Sequence, residues 1–255
     1  MRLLMIFLIA LSSLPARSEE NINMILVTAE SRHHATEEDG TGLYWDILRA
    51  VFEPQGIQVA SYNTSFGRAI GLVRYRQADA IVGVYEREAD THGLLLPDMH
   101  LDSDVVSVVF KKGHISWQGW QALDGLHIGK VRGYSIDERL DYDLRPHRLR
   151  NHHQLLHYLK KGDLDVVVNT RNNLRIDMQQ GQLDPEQWEV ITVDARPLFV
   201  AFANTPRGRL LAQKFDTGMS QLIGTAKLGT LYEHWQWDSF DYDSRNSTLV
   251  AERYR

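Results

Sequence analysis

The chain has 255 residues, 43% of them hydrophobic and 24% charged, an ordinary globular composition that excludes a disordered or fibrous polypeptide. Its formal charge is −5; residues 1–18 hold Arg2 and Arg17 but no acid, so without them 26 bases face 33 acids and the charge is −7, which disfavours nonspecific binding to nucleic acid or anionic lipid. With no cysteine there is no disulfide framework, thiol nucleophile or thiolate metal site.

Residues 1–18 have the three-part layout of a secretory signal: a cation at Arg2, an apolar run over 3–11, and the small residues Ala16 and Ser18 before an expected cleavage after Ser18. The run is too short to span ~30 Å of hydrocarbon as a helix, and no later segment approaches ~20 apolar residues, so a soluble periplasmic product is expected. A lipid anchor is not expected, since no cysteine could carry it.

Residues 24–28 read as a buried strand, followed by a polar loop with His33, His34, Glu37, Glu38 and the turn Asp39-Gly40-Thr41-Gly42. Tyr44, Ile47, Leu48, Val51 and Phe52 recur at helical spacing, and Pro54 with Gly56 stops that helix. A strand over 57–62, a helix over 66–76 and a buried strand over 78–84 complete a βαβαβ opening, which predicts an α/β fold with a parallel sheet. Residues 105–110 form an apolar, β-branched strand. A second unit of the same kind follows, with strands over 127–131 and 164–168, a tight turn at Gly133-Tyr134-Ser135 and a helix over 151–161. An apolar strand over 198–202 and helices over 208–223 and 228–235 end the ordered pattern; the acidic and polar stretch beyond Trp237 is expected to be poorly ordered.

Six stretches, in order, carry a resemblance: DGTGLYWDIL at 39–48, ADAIV at 78–82, Glu86-Arg87 ahead of Pro97, LDGLHIG at 123–129, KGDLD at 161–165 and GTLYEHW at 229–235. Together they resemble the extracellular solute-binding proteins of family 3, the type II periplasmic binding proteins of polar amino-acid ABC transporters. The resemblance implies two α/β lobes joined by two crossover hinge strands, here 105–110 and 193–200, with ligand in the cleft and closure by hinge motion. Lobe 1 would be discontinuous, residues 19–108 plus 196–240, lobe 2 would cover 109–195, and 241–255 would be a polar tail. It further implies a periplasmic monomer that captures a small anionic or amino-acid-like, carboxylate-bearing solute without cofactor or metal. The partner would be an inner-membrane ABC permease or, alternatively, a sensor receptor. A third reading, a dehydratase acting on cyclic acids, would need an acid or base from His33, His34 or Glu86.

By this resemblance Arg87 falls where an arginine clamps the ligand α-carboxylate, a task its planar fork suits. Phe66 falls where an aromatic walls the pocket, and Tyr85 could do the same with its hydroxyl as a polar handle. Gly133, Tyr134 and Ser135 match a turn whose amides meet the carboxylate at a helix start. Plainer readings stand beside these: Arg87 paired with Glu86 or Glu88, Phe66 as core, Ser135 as an ordinary N-cap. The chain departs from the family pattern at Asn169-Thr170, since Thr170 stands where the amino-acid binders place the aspartate that pairs with a ligand ammonium. His153 and His157, at i and i+4, have a chelating spacing, but they share the side of Lys160 and Lys161 and read as a solvated face.

Overall fold

A computed structural model describes residues 24–29, 34–131, 147–150, 152–223 and 225–237. Residues 1–18, expected to be a secretory signal, His33, the turn Gly133-Tyr134-Ser135 and the expected tail 241–255 lie outside the described residues. The elements are β1 (Met24–Ala29), α1 (Leu43–Phe52), β2 (Gln58–Asn63), α2 (Phe66–Arg74), β3 (Ala80–Val84), α3 (Glu86–His92), β4 (Asp102–Lys111), β5 (Ile128–Val131), β6 (His147–Leu149), α4 (His152–Lys161), β7 (Val166–Thr170), α5 (Arg171–Gln179), β8 (Trp188–Phe202), α6 (Pro206–Ile223) and α7 (Lys227–His234).

The opening is the expected βαβαβ unit. Strand β1 pairs in parallel with β2 and with β3, and α1 turns Tyr44, Ile47, Leu48, Val51 and Phe52 into the core. The Asp39-to-Gly42 turn is tight for a physical reason: Gly42 has φ 125°, and a Cβ there would come 2.5 Å from the Ala35 carbonyl oxygen. On one face of this first half, α1, α6 and α7 enclose a core of Ile25, Val27, Trp45, Phe202 and Phe215; on the other, α2 closes over Ile81 and Val84.

All eight strands join in one sheet, in the order β2-β1-β3-β8-β4-β7-β5-β6. Two long strands hold its halves together. Residues 199–202 of β8 pair with β3, whereas residues 188–198 pair antiparallel with β4, which in turn pairs with β7. Both crossings outrun the apolar runs that predict them: β4 begins at Asp102 rather than 105, and β8 begins at Trp188 rather than 193. In the second half, β5 lies between β6 and β7, both parallel to it, and α4 and α5 pack Leu155, Leu159 and Leu174 against the sheet. Strand β7 sits two residues later than its expected 164–168, and α3, α5 and β6 were not indicated by the apolar spacing.

The register sets the distance between the two halves. Val84, at the carboxyl end of β3, is level with Phe199, one step beyond the Asp102–Leu198 pair; Thr170, at the carboxyl end of β7, is level with Val106. The two sets of carboxyl ends thus face each other across about five residues of β4, roughly 17 Å at about 3.4 Å per residue.

Candidate functional site

Ligands of open α/β sheets bind outside the carboxyl ends of strands, and here two sets of such ends converge on one stretch of β4. From the first half, β2 leads into Phe66 and β3 leads into Tyr85 and Arg87; from the second, β7 ends in Asn169 and Thr170. Five expected ligand residues therefore stand at or just beyond strand ends that face each other along β4 from opposite sides. The loop after β5, which carries the other three, lies outside the described residues.

Arg87 is the second residue of α3 and is exposed. That helix starts where it does because Glu88 reaches back to accept the backbone N–H of Tyr85 at 3.0 Å, and two acids, Glu86 and Glu88, occupy its first turn. Tyr85 is buried, and its hydroxyl donates to Asp104 Oδ2 at 2.8 Å. Phe66 is half-buried at the start of α2 and packs on the Ile81 side of the sheet. Thr170 is buried as the N-cap of α5, with Oγ1 accepting from the Asn173 N–H at 3.4 Å, and Asn169 Oδ1 accepts from the Thr170 N–H and the Asn173 amide. Both side chains on the departure from the family pattern thus start a helix, and neither carries charge. His153 and His157 are exposed on α4; among the described residues no group of three or more His, Asp or Glu is arranged to hold a metal ion.

The floor between the two sets of ends is a polar network that sequence reasoning missed. Asp102 is 2% exposed, and four donors meet its two oxygens: the hydroxyls of Tyr44 and Tyr232, each at 2.8 Å, the Trp237 indole at 3.1 Å and the Ser103 N–H at 2.8 Å. Burial pushes its carboxyl up to about 6; the Tyr44 bond opposes the rise, and the nearby Asp104 adds to it. Asp104 stands opposite Arg196 in the β4–β8 register, and Arg196, 4% exposed, donates through Nε to Asp194 Oδ2 at 2.8 Å. Further along, Ser107 and Thr192 approach to 3.4 Å between their hydroxyl oxygens. The side-chain partners of Asp102 come from α1, α7 and the residues after α7, up to 135 positions away, so no local motif announces them. The available signal was the pair of acids at 102 and 104 immediately before an apolar strand.

No family model and no curated relative matches the chain. Solved structures do. An ancestral arginine-binding protein bound to arginine superposes with TM-score 0.67 at 17% identity, covering 84% of this chain and 98% of that one. The probable amino-acid ABC transporter extracellular-binding protein ytmK from Bacillus subtilis gives 0.69 at 11%, covering 86% and 100%. A histidine kinase sensor domain with similarity to periplasmic binding proteins gives 0.71 at 16%, covering 85% and 97%. Each covers more than four fifths of this chain, and no helix among the described residues is long and apolar enough to cross a membrane. The chain therefore has the two-crossover α/β fold of the type II periplasmic binding proteins.

Proposed function

We propose that the protein is a solute-binding protein of the periplasm, which holds a small carboxylate-bearing solute between its two halves and presents it to a membrane permease or receptor. The observation that carries this reading is the facing of two sets of strand carboxyl ends across roughly 17 Å of β4, a gap of small-molecule size. The likeness in fold to amino-acid-binding proteins supports it. In this reading the lobes are 19–108 plus 196–240 and 109–195, the signal is removed after Ser18, and the protein releases its ligand unchanged.

Arg87 is the carboxylate clamp, with Phe66 and Tyr85 as walls and the Gly133-to-Ser135 turn meeting the ligand from the other lobe. With Thr170 and Asn169 uncharged, an α-ammonium is not required: an ammonium facing them lacks a charge-assisted bond worth ~1.5–3 kcal/mol. A thermal-shift screen of metabolites on the mature protein identifies the ligand, and calorimetry with an amino acid and its deaminated analogue tests the pocket. Arg87→Ala is expected to cost ~2–4 kcal/mol of binding with little effect on folding. Thr170→Asp keeps a competent N-cap and should strengthen the amino acid relative to its analogue. Wild type preferring the amino acid by more than about tenfold (1.4 kcal/mol), or Arg87→Ala binding as wild type does, refutes this pocket.

A further inference from the structure

Helix α2 breaks local rules on its solvent side. Gly67 and Gly71 lie inside the helix where an added Cβ would meet nothing within 4 Å, so packing does not call for glycine, although glycine weakens a helix relative to alanine. Arg68 stands in a first turn that holds no acid, where the helix dipole disfavours a cation. Tyr75, which caps the helix, is 76% exposed, against 43% for Tyr62 and 40% for Tyr158. Arg68, Gly71 and Tyr75, spaced three and four apart, form one outward line opposite the buried Ala69, Ile70 and Val73. Arg74 and Arg76 flank that line, and none of the three guanidiniums has an ion pair or hydrogen bond among the described residues. Departures from local preference without compensation inside the fold mark a surface used by something outside it.

We propose that this face of α2 docks on an acidic surface of a second protein, namely the membrane partner to which the solute is presented. Three unpaired arginines within nine residues stand out in a chain of net charge −5, and guanidinium forks match carboxylates. Arginine and tyrosine are the side chains that anchor interfaces, and the glycines let a partner's ridge approach the helix backbone. An anionic lipid surface fits less well. Each arginine there contributes roughly fivefold in affinity, so three give about a hundredfold, opposed by the net negative charge of the rest of the chain. Because α2 runs back from the carboxyl end of β2 toward the amino end of β3, the line starts beside the solute crevice at Arg68 and ends at the far end of the sheet with Tyr75 and Arg76.

The membrane location of the partner rests on the solute-binding reading, which calorimetry tests separately; a wild type that binds solute but does not sediment with the vesicles refutes the docking surface alone. The full chain is sedimented with right-side-out membrane vesicles of the encoding organism at about 20 mM salt, where surface charges are little screened. R68E/R74E/R76E should bind at least tenfold more weakly and Tyr75→Ala about fivefold more weakly, both with unchanged melting temperature, while Tyr158→Ala binds as wild type. Gly71→Ala should raise the melting temperature yet weaken docking. The proposal is overturned if the triple variant sediments like wild type or if wild type does not bind the vesicles. It is equally overturned if protease-shaved vesicles, or protein-free phosphatidylglycerol vesicles, hold wild type equally well.

Discussion

The two halves of the molecule use the same anchoring device with different partners. Asp79 stands immediately before β3, and its carboxylate accepts the Leu26 N–H of β1 at 2.9 Å; Asp165 stands immediately before β7 and accepts the His127 N–H, just ahead of β5, at 2.8 Å. In the first half the counter-charge is permanent and well aimed, with Arg207 of α6 donating through Nε at 2.7 Å. In the second, two exposed imidazoles stand farther off, His127 at 3.4 Å and His114 at 3.8 Å. The helices are held differently as well. A Cβ at Gly218 of α6 would come 2.5 Å from the Val51 carbonyl oxygen of α1, whereas a Cβ at Gly129 of β5 would meet only the side-chain ends of Leu164 and Leu155. The first half is fixed by backbone approach and a close guanidinium, the second by side-chain ends and exposed imidazoles that have room to move. Asp102, with its donors from α1 and α7, adds a third tie to the first half.

The sharpest way to break this contrast is Gly218→Ala, which must push two backbones apart and should cost about 3 kcal/mol, against about 1 kcal/mol for Gly129→Ala, where leucine tips can give. Urea unfolding of the two variants measures it. The Asp102 tie predicts a pH signature. Its native carboxyl titrates near 6 instead of its ordinary 3.8, so the folded state holds a proton that the unfolded state has lost between those values. Its contribution to stability is therefore full below about pH 4 and declines by about 3 kcal/mol as the pH rises through 6. Subtracting the pH profile of Asp102→Asn from that of wild type should isolate this decline; a flat difference contradicts it. For the anchoring acids, Asp79→Ala should cost about 2–3 kcal/mol and Asp165→Ala about 1 kcal/mol, since a charged pair with good geometry is removed in only one of them. Equal losses would show that the backbone bond alone matters in both halves.

The parallel units were legible because their apolar residues obey one period at a time: Tyr44, Ile47, Leu48 and Val51 at helical spacing, then a short buried strand. Helix α3 has no such stripe; within Glu86–His92 only Glu88 and Ala89 are buried, and its start is set by a glutamate cap. Helix α5 likewise turns Asn172 and Asp177 inward beside Leu174 and Ile176, which blurs the period. The first part of β8 is half-buried throughout, with no alternation to read, and Asp102 hides the start of β4 because a buried carboxylate in a strand is legible only once its distant donors are known. For the site, the positions of Phe66, Tyr85, Arg87, Asn169 and Thr170 at strand carboxyl ends follow from the βα order alone. The engagement of the Tyr85 hydroxyl by Asp104 does not, because it depends on the register between β3, β8 and β4.

The pairing of Lys111 with Trp188 bears on how the chain is made. The second half is one continuous stretch whose two ends leave adjacent strands, so its contacts are available once β8 has been synthesised as far as about residue 195. The first half cannot close then, because β3 lacks its neighbour until residues 199–202 arrive, and α1 lacks α6 and α7 until still later. During synthesis the earliest strands of the first half are thus the last to be completed, with β3 an open edge that invites pairing with other chains. A product cut short between residues 196 and 202 keeps an intact second half and a first half that never finishes its sheet.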